Sequence, residues 1–202
     1  MGPICAVLIE DNVSQSLTKA LDEIIDSISA RRDGHDFTVC DTRPLSGKYL
    51  TYYGGRSFGF RAEPWDWVSA MSHPQQRELF SREFGFLPQT QLAIWSYPNS
   101  QIDHIVLGEV AAGLAEIFRG VIDYAGTINM ELPHQLRRKV SIGKALWCDV
   151  EPYFLQMVSS MAGKIVAVPH YSDYWEATWV SHYSDAAFLR AWLNHPRFAM
   201  TK

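Results

Sequence analysis

The stretch from Ile102 to Gly126 constrains the fold more than any other part of the chain. Ile102, Ile105, Val106, Val110, Leu114, Ile117 and Phe118 recur at helical spacing and trace one wide apolar face. Gly108, Ala111, Ala112 and Gly113 fall within the same turns, so the helix is slender and its neighbours can approach its backbone closely. Gly120 stops it, and Val121-Ile122-Asp123-Tyr124-Ala125-Gly126 begins a strand at once. A face this wide needs cover on several sides, which places the helix at the centre of the fold.

The remaining elements arrange themselves around that pair. Ile4–Ile9 reads as a buried first strand. Asn12 with Gln15 resembles a capping box for a helix carrying Leu17, Leu21, Ile24, Ile25 and Ile28, which Gly34 ends. Phe37–Cys40, Tyr49–Phe60 and Leu87–Tyr97 have strand character, with Gly54-Gly55 at a bend. A partly exposed helical segment falls within 64–86, interrupted near His73-Pro74. Residues 129–146 read as a mobile loop, Asp149–Met161 as a helix, and Lys164–Val168 and Trp175–Ser181 as strands. Ser184-Asp185 caps a last helix running to Leu193. About six strands and four or five helices, interleaved irregularly, predict one α+β domain over residues 1–202 with a largely antiparallel sheet.

Composition removes several function classes. A net charge of −4 disfavours a nucleic-acid binder, which needs a clustered excess of Lys and Arg. No run approaches the ~20 apolar residues of a membrane span, and the N-terminus lacks a signal peptide's basic region, so a cytoplasmic location is expected. The three cysteines (Cys5, Cys40, Cys148) are too far apart for a disulfide framework or a zinc motif and read as small hydrophobes in apolar company.

Few residues suggest chemistry. His170, Asp173, His182 and Asp185 are possible metal ligands, but their spacing matches no metal motif, and Asp185 is better explained as a helix start. Asp103 suits a helix N-terminus. Asp123, inside an apolar strand, is harder to dismiss and needs a hydrogen-bond partner. The Gly54–Gly59 stretch opens no helix, so it is a turn rather than a phosphate cradle. Neither a nucleophile motif nor a nucleotide-binding motif occurs. The expectation is a protein without metal, cofactor or catalytic residues.

Charge and aromatic residues point instead to a surface. Residues 1–41 hold eight acids and three bases, a net of −5, leaving +1 for the rest. Such a face steers a basic partner toward it. Several of the 26 aromatic residues fall in polar surroundings: Tyr52, Tyr53, Trp65, Trp67, Tyr171 and Tyr174. With Asp22, Asp26 and Asp173 they form the predicted partner-binding set, aromatic anchors beside steering carboxylates.

Three stretches resemble a known family when taken together. Met1-Gly2-Pro3 leads into a hydrophobic strand, Gly108–Phe118 is followed by Gly120–Gly126, and the tail contains Phe188-Leu189-Arg190-Ala191-Trp192-Leu193-Asn194-His195-Pro196. The set resembles an uncharacterised bacterial family, similar in these patterns to immunity proteins of polymorphic toxin systems. The resemblance implies a single-domain α+β protein that binds and neutralises a co-encoded toxin. The leading expectation is that it occludes the toxin's active site; the sequence does not choose between a nuclease and an ADP-ribosyltransferase. It implies no catalytic residue. The tail's Phe188, Leu189, Trp192 and Leu193 lie on one helix face, and Phe198 can fold back on them. The alternative is a small enzyme using Asp123 with His104 or with the His170/His182 cluster.

Overall fold

The computed structural model describes residues 2–46, 56–66, 71–141, 146–170 and 179–200. Its strands are β1 (Ile4–Ile9), β2 (Ser29–Asp33), β3 (Asp36–Val39), β4 (Arg56–Pro64), β5 (Thr90–Ser96), β6 (Val121–Asp123), β7 (Ile165–His170) and β8 (Trp179–Ser184). Its helices are α1 (Gln15–Ile28), α2 (Arg43–Ser46), α3 (Pro74–Phe84), α4 (Gln101–Phe118), α5 (His134–Ser141), α6 (Trp147–Val158) and α7 (Ala186–Leu193). The eight strands form one sheet in the order β2-β3-β4-β5-β1-β6-β8-β7. All neighbours run antiparallel.

The α+β class is as expected, but among the described residues the sheet has eight strands rather than six. One cause is β2. Its Ser29–Asp33 sequence reads as the polar tail of the preceding helix, yet α1 stops at Ile28 and Gly34, at φ 60°, turns β2 back onto β3. The N-cap also shifts from Asn12 to Ser14, whose hydroxyl accepts the Leu17 N–H. The segment 129–146 contains α5 rather than only a loop. The helix within 64–86 starts at Pro74, where a missing N–H costs nothing, and ends at Gly85 in the left-handed region.

β1 sits between β5 and β6 and is buried on both faces. Cys5, Val7 and Ile9 face the larger core with α1, α4 and α7, while Ala6 and Leu8 face a second cluster with Phe80, Val121 and Tyr183. α4 fills the centre of the first layer, with Val106, Leu107, Val110, Ala111, Ala112 and Leu114 fully buried. Its glycines serve close approach: a Cβ on Gly113 would stand 2.6 Å from Leu45 Cβ, and one on Gly108 2.7 Å from Leu193 Cδ2. The tail folds back as the sequence suggests, Phe198 packing at 6.3 Å centroid distance on Trp192. Gln101 Nε2 and His104 Nδ1 hold it by hydrogen bonds to Phe198 O and from Met200 N, at 2.9 and 3.0 Å.

One polar knot lies inside this layer. Arg190 of α7 pairs with Glu109 and Glu116 of α4 and donates to Leu45 O on α2. Glu109 is almost wholly buried, its side chain 5% exposed. Removing one member of such a pair strands the other charge. Arg190→Ala should therefore cost about 3–5 kcal/mol, read as a fall in urea midpoint, and Glu109→Gln in the same chain should restore part of it. Val110→Asp should abolish cooperative melting altogether, because a charge would enter the fully buried face of α4.

Candidate functional site

Three regions carry the groups that sequence reasoning singled out. The first is the acidic edge formed by α1, β2 and β3. Asp22 and Asp26 lie one turn apart on α1 and both pair with Arg32 of β2, the Asp26 contact being 3.0 Å. Arg32 in turn lies over the Phe60 ring, 4.9 Å from its centroid. Each carboxylate thus also ties the helix to the sheet edge. Glu10, Asp11, Glu23, Asp33 and Asp36 are exposed.

On this edge a cleft of about 450 Å³ opens between β2, β3 and the end of β5. Arg31, Asp33, Asp36, Thr38, Ser57 and Tyr97 line it. Tyr97 is 52% exposed, and its hydroxyl donates to Asp36 Oδ1 at 2.6 Å. Sequence reasoning passed over Tyr97 because it ends an apolar strand. The signal was the Pro98-Asn99 that follows, which takes the chain out of the sheet.

Of the predicted aromatic anchors, Trp65 is not at a surface. It is 8% exposed and packs in the second core cluster with Met71 and Phe80. A large ring directly after a strand end has more apolar area to bury than its polar neighbours suggest. Tyr52, Tyr53, Trp67, Tyr171, Asp173 and Tyr174 lie outside the described residues.

The second region is the sheet face opposite α4. Asp123 of β6 stands beside Tyr183 of β8 in the strand register. Further along the same face, His170 Nε2 lies 2.9 Å from Ser181 Oγ. Burial pushes the Asp123 carboxyl up to about 6, against a hydrogen bond from the Ala125 N–H at 2.8 Å. Burial also lowers His170 and raises Tyr183.

The third region is His182, one residue from Tyr183 and therefore on the other face. Its ring stacks on Phe154 at 4.5 Å, and Nδ1 accepts the Ile128 N–H at 2.9 Å. Burial lowers its pKa to about 3, so it is a neutral strut for the turn after β6. His170 and His182 consequently cannot meet one ion. Asp185 caps α7 by accepting the Phe188 N–H at 2.7 Å and also takes the Lys164 N–H. Among the described residues no group of three His, Cys, Asp or Glu could hold a metal. His104 is not with Asp123 either, its ring nitrogens engaging Asn99 and Met200. The three cysteines are free, and Cys40 and Cys148 are exposed rather than packed. Among the described residues no helix is long and apolar enough to cross a membrane.

A model of the DUF6368 family, described as a family of unknown function, matches residues 1–202. The chain belongs to that family. No curated protein and no solved structure matches it.

Asp123 is a charge that folding disfavours. Its carboxyl titrates near 3.8 when unfolded and about 6 when folded, so its ionisation costs stability progressively as pH rises between those values. Asp123→Asn should stabilise the fold by about 1–2 kcal/mol at neutral pH, the partial exposure of the residue reducing the full effect. That gain should shrink through pH 6 and vanish below the unfolded value. Urea titrations of both proteins across this range check it; a gain independent of pH would mean that burial does not act on this carboxyl.

Proposed function

We propose that this protein binds and neutralises a protein toxin, an immunity function exerted by covering the toxin's active site. The observation that carries the reading is the cleft at the acidic edge, where exposed Tyr97 is tied to Asp36 beside Asp33. Clustered carboxylates raise the rate of encounter with a basic surface, and an aromatic ring that loses its water on docking slows dissociation. Toxins that act on nucleic acid or nucleotides have basic clefts, which this edge complements. A tight complex buries ~1,200–2,000 Å² in total, more than one cleft supplies, so the β2 edge of the sheet beside the cleft belongs to the same footprint.

A second reading, a small enzyme, draws on the 2.9 Å His170–Ser181 contact and on Asp123 sharing that face. Its His104 and His182 versions lose support, because those rings are engaged elsewhere.

Sequencing the genes that flank this one and co-expressing the chain with a toxin domain found there tests both. Under the immunity reading the chain restores growth and the purified pair forms a complex. The triple variant Asp33→Lys, Asp36→Lys, Tyr97→Ala should melt normally yet weaken that complex by about 30-fold or more, equivalent to ~2 kcal/mol. His170→Ala with Asp123→Asn should leave protection intact. Growth that no version of the chain restores, or protection lost only in the His170/Asp123 variant, sinks the immunity reading and favours the enzyme.

A further inference from the structure

A cavity of about 460 Å³ opens where α6, the segment before α5 and the tail after α7 meet. Pockets that hold small molecules span ~300–1,000 Å³. Tyr153, Gln156 and Met157 lie three and four residues apart on α6, so one face of that helix supplies a wall. Leu132 and Pro133 add apolar surface, and Glu131, His195 and Arg197 add charge and donors. The His195 ring stacks on Trp192 at 4.6 Å, and its Nδ1 accepts the Arg197 N–H at 3.2 Å. In the neutral ring the proton is therefore on Nε2, a donor with no partner among the described residues. Arg197 Nη2 lies 2.6 Å from Glu131 Oε1, and among the described residues no other group engages either charge. Tyr153 Oη and the Gln156 side-chain amide have no hydrogen-bond partner among the described residues either. The Glu131 and Arg197 side chains are 70% and 38% exposed. An exposed pair holds its members weakly, so each can turn toward a ligand charge.

We infer that this cavity binds a free α-amino acid with an apolar side chain. Its carboxylate meets Arg197 and His195 Nε2, its ammonium meets Glu131, and its side chain lies on Leu132, Pro133 and Met157. The lining charges set the class. One cation and one anion side by side match a zwitterion, whose two charges flank a single carbon. A simple carboxylate would face Glu131, and a simple amine would face Arg197. The hydrogen bond between His195 and Arg197 keeps the two donor residues together, which puts the carboxylate at the tail. Tyr153 and Gln156 offer the few further polar contacts that orient a ligand in a mainly apolar pocket. Bound there, the ligand joins α6, the 131–133 segment and the tail, so binding stabilises the fold. The inference is independent of the toxin reading, since no residue of the acidic edge takes part.

Isothermal titration calorimetry of the full chain tests it with L-leucine, L-phenylalanine, N-acetyl-L-leucine, L-leucinamide and L-serine. Leucine should bind and raise the melting temperature. The last three compounds lack the ammonium, the carboxylate or the apolar side chain, and each should bind at least about tenfold more weakly. Glu131→Gln should lower leucine affinity to that of N-acetyl-leucine while leaving N-acetyl-leucine unchanged. Arg197→Gln should do the same with respect to leucinamide. Gln156→Trp, at an exposed position of α6, should fill the cavity and abolish binding. Melting curves of the three variants without ligand confirm that the fold persists. No binding of leucine or phenylalanine at millimolar concentration, or leucine binding indifferent to Glu131→Gln and Arg197→Gln, overturns the inference. So does N-acetyl-leucine binding as tightly as leucine, because the site then takes the carboxyl end of a peptide.

Discussion

The seating of α4 on the sheet is the contact on which the rest of the fold depends. Its backbone comes close enough to α2 and α7 only because Gly113 and Gly108 lack side chains, so Leu45 and Leu193 occupy the space a Cβ would need. With α4 in place, β1, β5 and β6 have one apolar face covered and α7 has a surface to lie on. The tail then closes over the N-terminal end of α4 through Phe198 and Met200. Glu109 lies on the buried part of this helix, and Arg190 explains how it is tolerated there.

The sheet separates the chemistry it carries. β2 and β7 are its two edges. At the β2 edge, charged side chains discourage pairing with another strand, and the same charges shape the cleft around Tyr97. At the other, Pro169 removes a donor from β7, while Gln76 of α3 donates to its carbonyl at 2.7 Å. His170, Ser181 and Asp123 belong to one face, and His182 belongs to the other. The acidic edge, the histidine face and the cavity beside α6 are therefore separate surfaces that can be altered independently.

Much of the fold was legible because burial leaves a periodic mark. The apolar stripe at Ile102–Phe118, the run at Ile4–Ile9 and the Asp185 cap ahead of Phe188 each correspond to an element in the structure. The same reasoning missed β2, because four polar residues and one alanine after a helix show neither helical nor alternating apolar spacing. An edge strand with little apolar area to bury has no sequence signature; its neighbour β3 decides it. α5 escaped for a related reason, its apolar stripe being only Leu136 and Val140.

By itself the sequence determined the α+β class, the central helix, the acidic first fifth and the lack of metal or nucleotide motifs. Those follow from local spacing and from charge, which any stretch of chain displays. Only the tertiary structure decided that Trp65 belongs to a core while Tyr97 faces solvent. It alone set His170 and His182 on opposite faces and made Asp22 and Asp26 partners of Arg32. Strand register, packing and the pairing of charges distant in sequence fix those outcomes. They arise when β2 folds back toward α1 and β8 pairs with β7, and no local pattern records where such segments meet.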